Sequence, residues 1–251
     1  MDGADEDAWS SVAADWAALW GGFSDPARRA IIAGAGIGPG SRVLDVGCGS
    51  GEFLAMLHSV GALTAGIDPA PRMVEAARSV APGADVRLGS AESLPWGHDS
   101  FDVVTAVNAI QFADDTLAAL AEAARVTVPG GRIAISNWAE GARNDLDVLE
   151  RAVAEAAGEE LRPDGDLRQE GGLEELLTEG GLTVLEAGIV EVPWEAPDDA
   201  TLVRGVLMGE DADVIDEAAP VLLAAARPFR TATGGYRLVN AFRYAIGRTP
   251  G

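Results

Sequence analysis

The segment VLDVGCGSG, from Val43 to Gly51, constrains the fold of this chain more than any other stretch. An apolar run typical of a buried strand leads into three alternating glycines, and a helical pattern over 51–59 follows directly. Glycines let the backbone turn tightly and approach a ligand closely, and the free N–H groups at the start of a helix can bind an anion. A strand, a glycine turn and a helix in this order therefore predict a ligand at the turn.

The rest of the chain alternates short apolar runs with helical patterns. Such alternation predicts an α/β fold with a mostly parallel sheet. Ser24, followed by Asp25 and Pro26, is expected to cap the second helix. Strands are expected near 42–46, 62–67, 86–88, 102–107, 132–138, 182–192 and 237–246, and helices near 5–20, 25–34, 51–59, 70–80, 114–127, 144–157, 171–179, 198–208 and 211–226.

Length and charge exclude several classes of protein. The 251 residues suffice for one domain and carry 40 acidic against 18 basic side chains, for a net charge of -22. Such a charge repels phosphate backbones and anionic lipid, so neither nucleic acid nor a membrane surface is an expected partner. Every basic residue is arginine, which excludes a catalytic lysine and a P-loop. Cys48 is the single cysteine, which excludes an internal disulfide and a cysteine-rich metal site, and no bound metal is expected.

The chain shows no segment typical of a secreted or membrane protein. Its acidic N-terminus lacks the apolar region of a secretory signal, and its longest apolar run, 221–226, is too short to span a bilayer. We therefore expect a cytoplasmic protein, monomeric or homodimeric.

Asp68 ends the second predicted strand, 21 positions after Gly47. An acidic residue about 20 positions beyond a glycine loop commonly binds the two hydroxyls of a ribose, so the spacing predicts a nucleoside ligand. The alternative is that Asp68 and Pro69 only cap the next helix. Glu52 stands where a dinucleotide motif has its third glycine, and its charge would oppose a pyrophosphate.

Five segments, in order, give residues 41–138 a resemblance to the class I S-adenosylmethionine-dependent methyltransferases, in their small-molecule branch. The segments are Asp45–Gly51, Gly66–Asp68 with Met73, Gly89–Trp96, Phe101–Thr105, and Arg125 and Val126 with Pro129–Gly131. The resemblance implies an α/β, Rossmann-like, seven-stranded, mostly parallel sheet with helices on both faces and a helical lid. It also implies a single domain over 1–251. The core would be 36–138 with the strands near 182–192 and 237–246, and the lid 1–35, 140–180 and 193–236.

The resemblance further implies that S-adenosylmethionine is the cofactor and where it binds. Asp45 would support the glycine loop through hydrogen bonds, Asp68 would hold the ribose, and Met73 would pack on the adenine with Ile67 and Leu94. Many relatives carry aspartate where Ser90 stands, so this serine departs from the family's pattern. The implied cofactor-binding residues are Trp16, Trp20, Asp45, Gly47, Cys48, Gly49, Gly51, Asp68, Pro69, Met73, Ser90, Ala91, Glu92 and Asn108.

Methyl transfer to a small-molecule acceptor is the function that the resemblance implies. The reaction needs alignment and exclusion of water more than acid–base groups. Gln111, just past the fourth strand, is the candidate on the substrate side, and the acceptor atom stays open between oxygen, nitrogen and carbon. The tryptophans of the first helix either form core or close over the cofactor, and removal of residues 1–20 is expected to leave a folded domain.

Two other classes of protein compete with this interpretation. A protein of the same fold could bind the cofactor and catalyse a different reaction, such as a cyclisation. A nicotinamide-dependent oxidoreductase is disfavoured by Glu52 and by the absence of lysine, which excludes a Tyr-x-x-x-Lys pair.

Overall fold

One mixed sheet of seven strands organises residues 6–159 and 163–251, which this computed structural model describes. Its strands are β1 (Arg42–Val46), β2 (Leu63–Asp68), β3 (Asp85–Leu88), β4 (Phe101–Val107), β5 (Thr127–Trp138), β6 (Thr183–Ala196) and β7 (Tyr236–Arg248). The helices are α1 (Glu6–Leu19), α2 (Asp25–Gly34), α3 (Glu52–Ser59), α4 (Pro71–Val80), α5 (Thr116–Val126), α6 (Asp145–Ala157), α7 (Gly172–Glu179), α8 (Asp199–Val206) and α9 (Ala212–Ala225). The predicted α/β fold is confirmed.

The strand order is β3-β2-β1-β4-β5-β7-β6. The first five strands of this order run parallel, whereas β7 pairs antiparallel with both β5 and β6. From β1 the chain adds β2 and β3 on one side and then β4 and β5 on the other, so the strand order reverses between β1 and β4. Ligands of such sheets bind beyond the carboxyl ends of the strands at this point. The topology therefore places the glycine turn after β1 at the expected ligand crevice.

Helices cover both faces of the sheet because successive strand residues point to opposite sides. Leu44 faces the cluster formed by α5 and α7, while its neighbour Val43 faces α2 and α3. Both side chains are fully buried. At about 25 cal/mol per Å² of buried apolar area, these two layers are the main source of stability of the core.

A third apolar cluster, which we call the cap cluster, lies at the carboxyl edge of the sheet. It joins Trp20 and Phe23 near α2 to Leu149 on α6, Leu222 on α9 and Phe242 on β7. These side chains fix the helices that follow β5 and β6 over the crevice, so the cap cluster shapes the wall of the site.

Strand β6 ends four residues later than predicted. Residues 193–196, assigned to the lid from the sequence, continue the sheet opposite 236–239 of β7. Trp194 and Ala196 are buried between exposed neighbours, which is the pattern of a half-buried strand. Pro193 is tolerated because β6 is an edge strand that pairs only with β7 among the described residues.

The start of α2 differs from the prediction as well. The Ser24 side chain makes no capping hydrogen bond to the helix. Asp25 occupies the first turn with Pro26 and pairs with Arg28 at 3.0 Å and Arg29 at 3.1 Å. An acidic residue in the first turn is favourable because of the helix dipole, so Asp25 stabilises the start of α2 by its charge, and the predicted side-chain cap is not observed.

Candidate functional site

The glycine turn after β1 has a left-handed backbone at Gly49 (φ +52°) and Gly51 (φ +95°), a conformation that favours glycine. A Cβ on Gly51 would lie 2.7 Å from Cα of Ala77, so Gly51 lets the turn pack against α4. A Cβ on Gly49 would meet only Nε1 of Trp16, at 3.9 Å. Gly49 therefore borders open space, and Gly51 borders backbone.

Asp68 holds this turn in place from the end of β2. Its Oδ2 accepts the Gly49 N–H at 2.8 Å, and its Oδ1 accepts the Ala70 N–H at 3.0 Å. Burial raises the pKa of Asp68, while the two backbone hydrogen bonds act in the opposite direction. Each carboxylate oxygen retains a lone pair for a further donor, so Asp68 both anchors the loop and can bind a hydroxyl.

The predicted support of the glycine turn by Asp45 is not observed. Its Oδ1 accepts the hydroxyl of Thr105 on β4 at 2.7 Å, and no hydrogen bond joins it to the turn among the described residues. Burial raises the pKa of Asp45 to about 7, against the lowering effects of the Thr105 hydrogen bond and the Arg28 charge. The loop-supporting role belongs to Asp68, and Asp45 is a proton-retaining group beneath the site.

We expect the free energy of unfolding to fall as the pH rises from about 4 to 8, partly through Asp45. Its folded pKa of about 7 exceeds the ordinary 3.8, so in this window the folded protein retains a proton that the unfolded chain has released. The contribution of Asp45 to the free energy of unfolding is on the order of 2–4 kcal/mol. It is complete below the unfolded pKa and is lost as the pH rises through the folded pKa.

Asp45→Asn should flatten this pH dependence because asparagine keeps an oxygen for Thr105 and cannot ionise. Urea unfolding of both proteins across the same pH range measures the effect. Stability curves that run parallel for the two proteins would contradict the assignment.

A cavity of about 520 Å³ lies at the carboxyl ends of β1, β2, β4 and β5. The predicted site residues that line it are Trp16, Trp20, Asp45, Gly47, Cys48, Gly49, Asp68, Pro69, Met73, Ser90, Ala91, Glu92, Asn108 and Gln111. Gly51 is not part of its wall, since it packs on α4. Leu94, expected against the adenine, instead lies in the core with α5 and α7.

Two amide oxygens on the cavity wall lack a hydrogen-bond partner among the described residues. They are Oδ1 of Asn108 and Oε1 of Gln111, and both atoms are buried. Asn108 also has a left-handed backbone (φ +52°), and its N–H donates to the Ser136 carbonyl at 3.0 Å. Buried polar atoms are nearly always paired, so these oxygens are exceptions, as are atoms of Thr64, Ser136 and Asn240 away from the cavity wall.

The three tryptophans of the N-terminal region differ in their surroundings. Trp20 is only 6% exposed, stacks on Trp194 at 4.4 Å with an interplanar angle of 6°, and donates to the Gly205 carbonyl at 3.2 Å. Trp16 lies next to Gly49, and Trp9 packs edge-on against it at 5.2 Å. Trp20 is therefore mainly core, whereas Trp9 and Trp16 cover the cavity.

Several cavity residues were not identified from the sequence: Arg28, Trp138, Asp147, Glu150 and Arg168. Arg28 donates to the Gly21 carbonyl at 2.6 Å, and its Nε is buried without a partner among the described residues. An arginine on the buried face of α2, between Ala27 and Ile31, is a signal that could have revealed it. The residues of α6 and the following loop carry no such local signal.

The described part of the chain adds two observations on the class of site. None of its helices has the length and apolar character needed to cross a bilayer. No group of three or more His, Cys, Asp or Glu side chains lies close enough to bind a metal ion within the same residues.

Comparisons with known proteins give part of the chain a likeness to methyltransferases. A family profile described as a methyltransferase domain matches residues 44–135. A malonyl-[acyl-carrier protein] O-methyltransferase of Serratia marcescens is 37% identical over 108 residues, which are 43% of this chain and 42% of that protein. The match thus spans less than half the length of this curated relative.

Solved structures agree with this assignment at the level of the fold. The YcgJ protein of Bacillus subtilis aligns with a TM-score of 0.62 and 22% identity, over 89% of this chain and 98% of that one. The [4+2]-cyclase SpnF aligns with a TM-score of 0.60 and 18% identity, over 90% and 80%. Residues 44–135 of the chain therefore match a methyltransferase domain.

Proposed function

We propose that this protein transfers the methyl group of S-adenosylmethionine to a small-molecule acceptor. One observation carries the proposal: a single cavity joins the glycine turn and Asp68 to the unpaired amide oxygens of Asn108 and Gln111. The glycine turn and Asp68 suit a nucleoside with an amino-acid tail, and Asn108 and Gln111 suit polar groups bound beside it. The O-methyltransferase relative supports an oxygen acceptor in particular.

Asp68 and Met73 are proposed to hold the nucleoside half of the cofactor. Asp68 accepts the ribose hydroxyls with the lone pairs left over from its two backbone bonds. Met73 is buried against Ala13 of α1, so helices α1 and α4 enclose this end of the cavity together. Ser90, Ala91 and Glu92 form the opposite wall, and the Asp114 N–H fixes Glu92 by donating to it at 2.9 Å.

Arg28 is proposed to pair with the carboxylate of the cofactor's methionine part. The side chain reaches the cavity from α2 over the Phe53 ring. Its Nη1 is bonded to Asp25 and Gly21, and its Nε has no partner among the described residues. Acidic side chains outnumber basic ones on the cavity wall, so an anionic group of a ligand is best accommodated next to Arg28. A guanidinium suits this role because its planar fork matches a carboxylate.

Alignment and exclusion of water are the protein's proposed contributions to the reaction. The cofactor, when bound, supplies an activated methyl group, and displacement at that carbon requires the acceptor to approach in line. Trp9 and Trp16 cover the turn, and α6 and α8 contribute the far wall. We therefore propose one domain whose helices close over the sheet edge.

The cavity and the charge of the chain together favour a small acceptor over a nucleic acid. A net charge of -22 repels phosphate backbones over the distances at which salt does not screen the charges. Residence in the cytoplasm and a monomeric or homodimeric state stay predictions.

Calorimetry with S-adenosylmethionine and with its demethylated product tests the proposal. We expect both to bind with micromolar dissociation constants, and Gly49→Ala to weaken binding at least about tenfold because the new Cβ enters the open space beside the turn. Gly40→Ala is the matched control: Gly40 also has positive φ (+81°), borders nothing within 4 Å and lies outside the cavity wall.

Two outcomes would overturn the proposal. A folded protein that binds neither compound excludes the cofactor site, and a Gly49→Ala protein that binds as tightly as wild type excludes the turn as its contact. Incubation with methyl-labelled cofactor and candidate acceptors separates transfer from a cyclisation, since only transfer moves the label into the small-molecule product.

A further inference from the structure

The far end of the cavity lies across the sheet from the proposed nucleoside site. Asp68 ends β2, whereas Trp138 ends β5, three strands away in the order β2-β1-β4-β5. Neighbouring strands are about 4.8 Å apart, so these ends are separated by roughly 14 Å. Helix α6 follows β5 and contributes Asp147 and Glu150 to the same wall. We call this end of the cavity, formed by Trp138, Leu146, Asp147, Glu150 and Arg168, the distal pocket.

Asp147 and Arg168 neutralise each other in the distal pocket. Nη2 of Arg168 lies 3.2 and 3.1 Å from the two carboxylate oxygens of Asp147. Arg168 also pairs with Asp164 at 3.1 Å and donates to the Ala139 carbonyl at 2.9 Å. Its charge and its Nε and Nη2 donors are therefore already engaged by protein groups.

Glu150 has no such partner. It lies one turn after Asp147 on the same face of α6, and it makes no hydrogen bond or ion pair with any of the described residues. Its side chain lines the cavity and is exposed overall, so the cavity walls remove only part of the water around the carboxyl. This desolvation, together with the charge of Asp147, raises the pKa of Glu150 to about 7, and the charge of Arg168 lowers it less.

A second observation concerns the cavity wall between Glu150 and the glycine turn. Gln111 and Asn108 line the cavity at the end of β4, between β1 and β5, and their amide oxygens are buried without a partner among the described residues. Trp138 and Leu146 give the pocket apolar surface, and aromatic rings pack favourably against a planar ligand.

We propose that Glu150 recognises the methyl acceptor, and that this acceptor carries an uncharged hydroxyl on a planar apolar body. The inference rests on the proposed function and names its substrate class. A lone carboxylate rejects phosphate and carboxylate groups, whereas it accepts a hydrogen bond from a hydroxyl. An ammonium group would pair with Glu150 but has no lone pair with which to attack.

Glu150 also takes up the proton that the reaction releases. The acceptor's oxygen bonds to the methyl carbon, the electron pair of the broken carbon–sulfur bond stays on sulfur, and the hydroxyl proton passes to a Glu150 oxygen. The acceptor leaves as a neutral ether, and the carboxylic acid later returns its proton to water. A group that titrates near neutral pH is suited to such a transfer.

Binding of 1-naphthol and of 1-methoxynaphthalene to the protein saturated with demethylated cofactor tests recognition. The two probes share a planar body, but only naphthol carries the hydroxyl. We expect wild type to bind naphthol at least about tenfold more tightly, and Glu150→Met to bind both probes equally. Glu155→Met is the matched control, since Glu155 is on the same helix and outside the cavity wall; it should keep the preference.

A second measurement tests the proton transfer. Glu150→Gln keeps an oxygen that can accept the hydroxyl hydrogen bond but cannot accept its proton, so formation of 1-methoxynaphthalene from naphthol should be at least about 100-fold slower than in wild type. Affinity for the demethylated cofactor should stay within about twofold in every variant.

Several results would overturn the inference. They are a wild type without preference for naphthol, a preference that survives in Glu150→Met, no 1-methoxynaphthalene formed by wild type, or equal rates in wild type and Glu150→Gln. Failure of wild type to bind the demethylated cofactor would contradict the proposed function instead, so the two failures are distinguishable.

Discussion

Replacing Trp20 by alanine is expected to lower the free energy of unfolding by about 3–5 kcal/mol. The indole is 6% exposed, stacks on Trp194 and contacts Phe23 edge-on at 5.0 Å. Its removal leaves a cavity in the cap cluster, and the Gly205 carbonyl loses its donor. Because Trp194 itself donates to the Leu19 carbonyl at 2.8 Å, disorder would extend to the end of α1.

Urea unfolding monitored by circular dichroism measures this loss. Trp96→Ala is a suitable control because Trp96 is only partly buried, packs on Phe101 and lies outside the cavity; it should cost markedly less. A Trp20→Ala protein as stable as Trp96→Ala would show that the cap cluster does not hold α1 in place.

The same contacts change the expectation for truncation. The sequence alone predicts that removal of residues 1–20 leaves a folded domain. The contacts of Leu19 and Trp20 predict instead that this deletion destabilises the protein at least as much as Trp20→Ala does. Loss of transfer in such a truncated protein would therefore not by itself demonstrate a lid.

Replacing Asp68 by alanine is expected to weaken S-adenosylmethionine binding about 100-fold or more. The substitution removes the acceptor of the Gly49 and Ala70 N–H groups as well as the proposed partner of the ribose hydroxyls. Hydrogen bonds to a charged group contribute about 1.5–3 kcal/mol each, and two such losses at the site account for an effect of this size. Calorimetry on the folded variant provides the measurement.

Asp102→Ala is the matched control for the loss of a carboxylate that binds backbone. Asp102 accepts the Arg42 N–H at 2.8 Å and pairs with its guanidinium at 2.6 Å, on the side of β4 away from the cavity. It should lower stability slightly and leave cofactor affinity unchanged. If Asp68→Ala binds the cofactor as wild type does, Asp68 serves only the turn and α4.

The order and type of the elements followed from the sequence because their signals are local. Strand β1, the glycine turn and α3 are encoded in 18 consecutive residues, 42–59, through apolar runs and glycines with positive φ. Such features depend on neighbours in the chain, which is why Gly47, Gly49 and Asp68 could be assigned to the crevice before any tertiary contact was known.

Predictions failed where a residue's partner lies far along the chain. Asp45 bonds to Thr105, 60 positions away, so its true partner depends on β4 lying beside β1. Strand β6 continues to Ala196 because β7, which follows two helices later, offers it a partner. No local pattern distinguishes these pairings from their alternatives.

The sequence by itself determined the sheet-and-helix architecture and the half of the site built on the glycine turn. Only the tertiary structure decided the other half, in which Arg28, Glu150 and Arg168 converge from α2, α6 and the loop before α7. The physical reason is that the first half is fixed by backbone conformation within one strand–turn–helix unit. The second depends on how helices pack over the edge of the sheet, and that packing is set by side-chain contacts such as Trp20 against Trp194, made between segments about 175 residues apart.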